Sequence, residues 1–397
     1  MGLAVMLLSG VAKAEPPSTA SLTLAQALKV SRENNELRAA AVLRIGEARG
    51  DLTQASVLLV DNPELSFEGG QRLATPDTKG VVEFSVGVEQ TFAFGRRKHR
   101  IASAWARVEA STARADDVQR VLDHAVAATF YSALASEQRL QFVERNEALA
   151  RELFDVARRR LEVGVGTPLH LNTALVLVAT AQRETVRARA ENRGAIVRLA
   201  ELLGLPPAGK LSVLGDLPRL SDMAPGPQLI ASARAIRPDL ASVAHDIDAA
   251  RAAVALADAE AWPEIGLGAL YGRDDASGIL LATLRVAIPL FNRNEGGRQA
   301  ARANYERLVA ERDGLVRAAD AEIQQALIAH DEARQAIEIY DTAVIRAQED
   351  SLAMLTRALE VGEVGIGEVI VMQREIASGN QGYLEARLEL AQRWEAA

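Results

Sequence analysis

Alternating polar and apolar residues mark the segment Val81–Phe94. One face of this segment would carry Val82, Phe84, Val86, Val88 and Phe92. The other would carry Glu83, Ser85, Gly87, Glu89 and Thr91. A period of two predicts a β-strand, and an unpaired glutamate is too costly to bury in a dry core. The pattern therefore suits a barrel wall with lipid outside and water inside, although an amphipathic strand of a soluble sheet has the same pattern.

Three further segments alternate in the same way: Glu64–Gly70, Glu264–Tyr271 and Ile279–Phe291. We predict lipid contact for Val82, Phe84, Val86, Val88, Leu267, Leu280, Leu284 and Val286. Four strands are too few to close a barrel, and open sheet edges cannot face lipid. The pattern thus predicts that several chains share one barrel with ring symmetry.

Long helices account for most of the remaining chain. Arg96–Val163 contains neither proline nor glycine, and its 68 residues predict a helix of about 100 Å that needs neighbouring helices along its length. The other predicted helices are Thr23–Val60, Leu169–Leu203, Gln228–Ala261, Arg298–Val361 and Glu368–Glu395. Glycine-rich reversals at Gly164–Pro168 and Gly362–Gly367 would join helices into antiparallel hairpins.

Four short motifs recur in the same order about 200 residues later. The pairs begin at Asn34 and Arg237, Asn62 and Trp262, Phe94 and Phe291, and Arg159 and Arg357. A nearly constant offset predicts a tandem duplication. The predicted organisation is a signal peptide at 1–14, a first repeat at 15–203, a linker at 204–227 and a second repeat at 228–397.

The signal peptide is predicted from the first fifteen residues. Leu3–Val11 is an apolar segment, and Ala12-Lys13-Ala14 matches the small-x-small cleavage pattern before Glu15. A basic segment before the apolar one is missing, and an apolar tail is the alternative interpretation. Cleavage there would indicate a protein exported from the cytoplasm.

Composition narrows the classes of function. Hydrophobic residues make up 49% of the 397 residues but aromatics only 4%, which is typical of long helices packed through small side chains. The net charge of −8 argues against a nucleic-acid partner. There is no cysteine, and the five histidines lack metal-ligand spacing, so no cofactor or metal site is expected. Since no phosphate loop or catalytic constellation occurs either, the chain is not expected to be an enzyme.

The order of these elements, the duplication and the motifs resemble the TolC-type outer membrane factors of tripartite efflux systems, over about Leu22 to Trp394. The segment Ile288–Gly296, with its Pro-Leu-Phe core, is similar to the heavy-metal branch typified by CzcC. Similar segments occur in members that export organic compounds. The resemblance implies a mainly α fold with a small membrane β-barrel, in which each protomer supplies four strands and long, duplicated helical hairpins.

The resemblance also implies an assembly. Three identical chains would form a homotrimer in the lipid of the cell outer membrane, with a helical tunnel in the periplasm. The reversals would meet a periplasmic adaptor (membrane fusion) protein of an inner-membrane RND pump. The expected function is a passive exit duct for heavy-metal cations of the cobalt, zinc and cadmium type. The alternatives are multidrug or organic-compound efflux, type I secretion and, from another class, a soluble coiled-coil periplasmic adaptor or scaffold.

Two sets of residues become functional candidates through this resemblance. The adaptor-docking candidates at the hairpin tips are Leu161, Val163, Gly164, Val165, Gly166, Thr167, Leu359, Val361, Gly362 and Glu363. Glu368 occupies the first of two positions that are often acidic in the family, whereas Val371 occupies the second. Three copies of Glu368 near one axis would favour cations. A bare turn explains the glycines equally well, and a solvated carboxylate at a helix start explains Glu368.

Overall fold

The computed structural model describes residues 19–73, 81–206, 210–218, 225–274, 277–340, 342–361 and 363–394. The predicted signal peptide and Gly362 lie outside these residues. The elements in chain order are β1 (Thr19–Leu22), α1 (Leu24–Asn34), α2 (Glu36–Ser56), β2 (Glu64–Arg72), β3 (Val81–Phe92), α3 (Arg96–Glu162), α4 (Pro168–Leu202), β4 (Lys210–Val213), α5 (Gly226–Ile236), α6 (Pro238–Ala259), β5 (Ile265–Asp274), β6 (Ser277–Val286), α7 (Glu295–Ile339), α8 (Thr342–Val361) and α9 (Ile366–Trp394).

The chain forms two compact units, each assembled from separated segments. Unit 1 comprises residues 1–37, 119–231 and 321–397, and unit 2 comprises 38–118 and 232–320. Both predicted repeats contribute to both units, because α3 and α7 each have residues in unit 1 and in unit 2. No helix among the described residues is long and apolar enough to cross a bilayer.

The sheet of unit 2 is antiparallel, with the strand order β2-β3-β5-β6. Its register pairs Val86 with Phe67 on one side and with Tyr271 on the other, and Leu267 with Leu284. Since directly paired residues share a face, most large apolar residues of the four strands lie on one surface, whereas Leu270, Ile279 and Leu281 lie on the other. Within the described residues the sheet is open, with β2 and β6 at its edges.

The main hydrophobic core of unit 1 surrounds Phe130, Leu199 and Leu203, all of which are buried. Beside it lies a small parallel sheet in which β1 pairs with β4, from Thr19↔Lys210 to Leu22↔Val213. The sequence did not predict this pairing, and β4 lies within the predicted linker. The predicted linker therefore contains a strand, which pairs with β1 near the start of the described residues.

Asp216 fixes the segment after β4 to two helices of unit 1. Its carboxylate accepts hydrogen bonds from Gln138 of α3 at 3.2 Å and from Arg387 of α9 at 3.1 Å, and Arg387 also donates to the Leu217 carbonyl. Burial alone would raise the pKa of Asp216. The charge of Arg387 and these hydrogen bonds instead hold that pKa below its usual value.

One ion pair occurs in equivalent form in each unit. In unit 1, Arg32 of α1 binds Asp123 of α3 through two hydrogen bonds, of 3.2 and 2.7 Å. In unit 2, Arg234 of α5 binds Asp320 of α7 in the same bidentate way, through its Nε and Nη2 atoms. The hydrogen bond from Arg234 lowers the pKa of Asp320, and Asp123 raises the pKa of Arg32. The two arginines, and likewise the two aspartates, lie about 200 residues apart, which is also the offset between the repeated sequence motifs.

The long predicted helices are correct in position but are interrupted at three places. Thr23–Val60 is divided at Asn35 into α1 and α2, and Gln228–Ala261 is divided at Arg237 into α5 and α6. The helix predicted over Arg298–Val361 is α7 and α8, with Tyr340 outside both helices. The strand predicted over Ile279–Phe291 is β6, and it ends at Val286 rather than at Phe291. Pro289 follows soon after, and its ring removes a backbone hydrogen-bond donor.

His330 of α7 is a buried polar side chain of unit 1. It is 2% exposed, on the same helix face as the buried Ile323, Ala326, Ala333 and Ile337. Neither imidazole nitrogen has a hydrogen-bond partner among the described residues. Its Nδ1 atom lies 3.7 Å from an Asp331 carboxylate oxygen, which is too long for a hydrogen bond.

Replacing His330 with leucine is expected to stabilise the protein. Leucine has a similar volume, and the change removes an unmet polar group that costs about 1–3 kcal/mol. The midpoint of thermal unfolding of the purified protein should rise by about 2–4 °C or more. His245→Leu, at a partly exposed position of α6, is the control and should leave the midpoint nearly unchanged. A lower midpoint for His330→Leu would contradict the prediction.

Candidate functional site: the hairpin tips and the sheet face

The first reversal joins α3 to α4 through a tight turn. The Arg160 carbonyl accepts hydrogen bonds from the amides of Val165, at 3.0 Å, and Gly166, at 2.8 Å. Gly164 has a φ of 80°, a conformation that favours glycine. The Thr167 side chain caps α4 by accepting a hydrogen bond from the His170 amide at 3.3 Å. This turn is thus defined by its own backbone hydrogen bonds.

The second reversal joins α8 to α9 and packs against the first. The Glu363 amide donates to the Ala358 carbonyl at 2.9 Å. One hydrophobic cluster unites both hairpins, and its buried members are Leu153, Ala157, Ala174, Leu359, Val369 and Ile370. The Arg160 guanidinium also donates to the Leu359 carbonyl, which connects the end of α3 to the end of α8. The two tips therefore form a single surface of unit 1, which we call the tip surface.

The tip surface combines a small cavity with exposed apolar side chains. The cavity has a volume of 260 Å³ and is lined by residues of both reversals, among them Arg160, His170 and Glu363. Val163, Val165 and Val361 are 73%, 66% and 69% exposed. Exposed apolar residues beside charged ones are typical of a protein-binding surface.

Most of the predicted tip residues lie on this surface. Val163, Gly164, Val165, Thr167, Val361 and Glu363 are exposed, and Leu161 and Gly166 are partly exposed. Leu359 differs, because it is 3% exposed and packs in the shared cluster. Its side chain can support the surface but cannot present itself to a partner. Gly362 is not among the described residues.

The sequence motifs did not point to Arg160, although it connects the two hairpins. A signal was present, because Arg160 corresponds in the repeat to Ala358. A long cationic side chain in only one of two matching turns suggests a contact between the turns.

Glu368 is exposed in the first turn of α9, where its amide donates to the Gly365 carbonyl at 3.2 Å. The next two residues, Val369 and Ile370, are buried in the tip cluster, which fixes the direction of this turn. Val371 is 60% exposed. A carboxylate is electrostatically favoured at this helix start whatever further role it has.

The eight residues predicted to contact lipid all lie on one face of the unit 2 sheet. Their exposure in the single chain ranges from 38% for Phe84 and Val86 to 77% for Leu280. The opposite face carries Glu89 and Arg285, which form an ion pair at 3.0 Å. The sheet thus has one mainly apolar face and one face that bears an ion pair.

Among the described residues, no group of three or more histidine, aspartate or glutamate side chains could hold a metal ion. Glu363 and His170 line the same cavity but lack a third acidic or imidazole neighbour there. The tip surface and the sheet face therefore offer recognition through shape, apolar contact and charge.

The chain is similar to known proteins over most of its length. The sequence profile of a family described as "Outer membrane efflux protein" matches residues 27–205 and again 229–396. The pyoverdine export outer membrane protein OpmQ of Pseudomonas putida is 26% identical, over 94% of this chain and 84% of that protein. The cobalt-zinc-cadmium resistance protein CzcC of Cupriavidus metallidurans is also 26% identical, over 91% of this chain and 86% of that protein.

A solved structure has the same fold. The crystal structure of the outer-membrane channel OprN superposes with a TM-score of 0.80 over 94% of this chain and 88% of that chain, at 19% identity.

Proposed function

The chain belongs to the outer membrane efflux protein family, and from that premise we propose that it is the passive, trimeric exit duct of a tripartite pump for heavy-metal cations. The observation that carries the duct is the four-stranded sheet with one apolar and one charged face. In a barrel, that arrangement gives an apolar exterior for lipid and a wet interior for the substrate.

The edges of the sheet support an assembly of several chains, and the family resemblance implies that there are three. Strands β2 and β6 leave unpaired backbone groups at both edges, which lipid cannot satisfy. Three copies would pair β2 of one chain with β6 of the next and close a twelve-stranded barrel. An even number of strands in this range is ordinary for outer-membrane barrels.

The proposed duplication explains why the protomer has two hairpins. It is supported by the four sequence motifs, by the matched pairs Arg32–Asp123 and Arg234–Asp320, and by the family profile on both sides of residues 204–227. In a trimer, six hairpins would present six tips around one axis. These tips are the proposed docking surface for the periplasmic adaptor, and an inner-membrane RND pump would supply the energy.

The substrate class rests on the segment Ile288–Gly296 and on the likeness to CzcC. The likeness to OpmQ, a pyoverdine export protein, is equally strong in identity and supports the alternative, efflux of an organic compound. If the substrate is a metal cation, the pump and the adaptor would select the metal, since the duct has no cluster of metal-ligating side chains among its described residues.

Growth of a deletion strain tests the substrate class. The strain is compared with the wild type across zinc, cobalt, cadmium, copper and silver, and across dyes, antibiotics and siderophores. We expect sensitivity to metals, restored by the gene on a plasmid. Sensitivity to organic compounds alone would retain the duct and replace the substrate.

Glu368→Gln is expected to weaken the preference of the duct for cations. Three carboxylates near one axis would concentrate cations, and the amide removes their charge while keeping their shape. In planar bilayers, the ratio of cation to anion permeability should fall about two-fold or more. Glu368→Asp keeps the charge and should retain most of the ratio. Equal permeability ratios in wild type and Glu368→Gln would mean that Glu368 only stabilises the start of α9 and does not select cations.

A further inference from the structure

Five consecutive basic residues, Arg96–Arg100, follow the end of β3 and begin α3. The first turn of α3 contains no acidic residue. Arg96 is neutralised, since it pairs with Glu264 and also donates to the Trp262 carbonyl. Arg100 donates to the carbonyls of Ala55 and Val57. The outer members of the run are thus used in holding unit 2 together.

Arg97 and Lys98 lie between these two arginines in the run. Arg97 donates to the Ser56 carbonyl at 3.0 Å, and neither Arg97 nor Lys98 has an ion-pair partner among the described residues. Both side chains are exposed. The nearby carboxylate Asp258 is already paired with Arg298, at 2.6 Å. Two cations therefore remain for an external anion.

Aromatic side chains adjoin Lys98. A cleft of 610 Å³ is lined by Lys98, His99 and the paired Asp258 together with Phe94, Trp262 and Ile265. Phe94 is 63% exposed and Trp262 is 72% exposed, which is unusual for such large apolar groups in one place. Exposed aromatic rings at the ends of strands are typical of the boundary between bilayer and water.

We propose that this cleft binds the headgroup of an anionic phospholipid, with its phosphate on Lys98 and its glycerol and upper acyl chains against Phe94 and Trp262. The neighbouring Arg97 does not line the cleft and adds positive charge beside it. The proposal rests on the proposed function, because the cleft meets lipid only if the sheet crosses the outer membrane. Charge complementarity selects the lipid, since a phosphatidylglycerol phosphate is attracted whereas the choline of phosphatidylcholine adds a repelled cation. This contact would fix the depth of the sheet in the bilayer.

Native mass spectrometry of the full-length protein in nonionic detergent tests the proposal. Dioleoyl-phosphatidylglycerol or dioleoyl-phosphatidylcholine is added at matched concentrations, and retained lipids are counted. We expect retention of the glycerol lipid about ten-fold or more above that of the choline lipid. Arg97→Gln with Lys98→Gln should remove this preference. Arg317→Gln with Arg374→Gln removes two exposed charges elsewhere and should preserve it.

Three results would overturn the proposal. The first is equal retention of the two lipids by the wild type, and the second is an unchanged preference in the double variant. The third is equal competition by glycerophosphoglycerol, which lacks acyl chains and would reveal a site for a free phosphodiester. Lys98→Gln alone serves if the double variant fails to fold, since the Lys98 side chain has no partner among the described residues. Lipid retention is measured on the purified protein and does not depend on export. A deletion strain without an efflux phenotype would therefore count against the proposed function and not against the lipid site.

Discussion

A lysine in place of Leu284 is expected to remove most of the protein from the outer membrane. Leu284 lies on the apolar face of β6, directly opposite Leu267, and is 68% exposed in the single chain. If that face contacts lipid, a lysine there is costly in each of three chains, by an amount that depends on depth and reaches about 2–4 kcal/mol at the bilayer midplane. Heat-modifiable trimer in the outer-membrane fraction should fall about ten-fold or more, as measured on semi-native gels.

The same strand provides the control. Leu281 is also a leucine of β6, is 50% exposed, and pairs with Leu270 on the opposite face. Leu281→Lys would turn its charge toward the water-filled interior and should leave trimer yield close to that of the wild type. Equal losses for the two variants would mean that the faces are wrongly assigned. Normal yield for both would mean that neither face contacts lipid.

The sheet could be predicted from the sequence because its signal is local. The period of two in Val81–Phe94 distinguishes the faces before any partner strand is known, and the register of β3 with β5 then aligns Val86 with Tyr271. The long helix α3 was predictable for the same reason, since no proline or glycine interrupts Arg96–Glu162.

The helix break at Asn35 depends on a distant contact and was missed. Ser31 and Asn35 both donate to the Leu202 carbonyl, at 2.9 and 3.0 Å, so the end of α4 determines where α1 stops. The break at Arg237 could have been found, because Pro238 follows it and disfavours a helical conformation there.

The parallel pairing of β1 with β4 joins residues 191 positions apart, as in Ser21 and Ser212. Each strand has four residues, which is too short for a periodic signal. The tip surface was predictable only in part. Glycines indicated the turns, whereas the contact between Arg160 and Leu359 depends on how two hairpins pack.

Gly166→Ala is expected to abolish export while leaving the protein in the membrane. A Cβ atom at Gly166 would lie 2.7 Å from the Leu161 nitrogen and 2.9 Å from the Arg160 carbonyl carbon, both backbone atoms that cannot move aside cheaply. The turn must therefore open, and the hydrogen bond from the Gly166 amide to the Arg160 carbonyl is lost. Because this turn shapes the proposed docking surface, resistance to the exported substrate should fall to nearly that of the deletion strain.

Gly365→Ala is the matched control in the second reversal. A Cβ atom there meets nothing within 4 Å, and Gly365 is not among the glycines with positive φ. It should retain wild-type resistance at equal amounts of trimer, quantified on the same membranes. If Gly166→Ala also exports normally, the shape of the first turn does not matter for docking. If instead its trimer is lost, the first turn is required for assembly of the trimer, which contradicts the expected selective loss of export. Selective loss of export at a normal trimer level would mean that the backbone contact at Gly166 is needed for recognition of the adaptor.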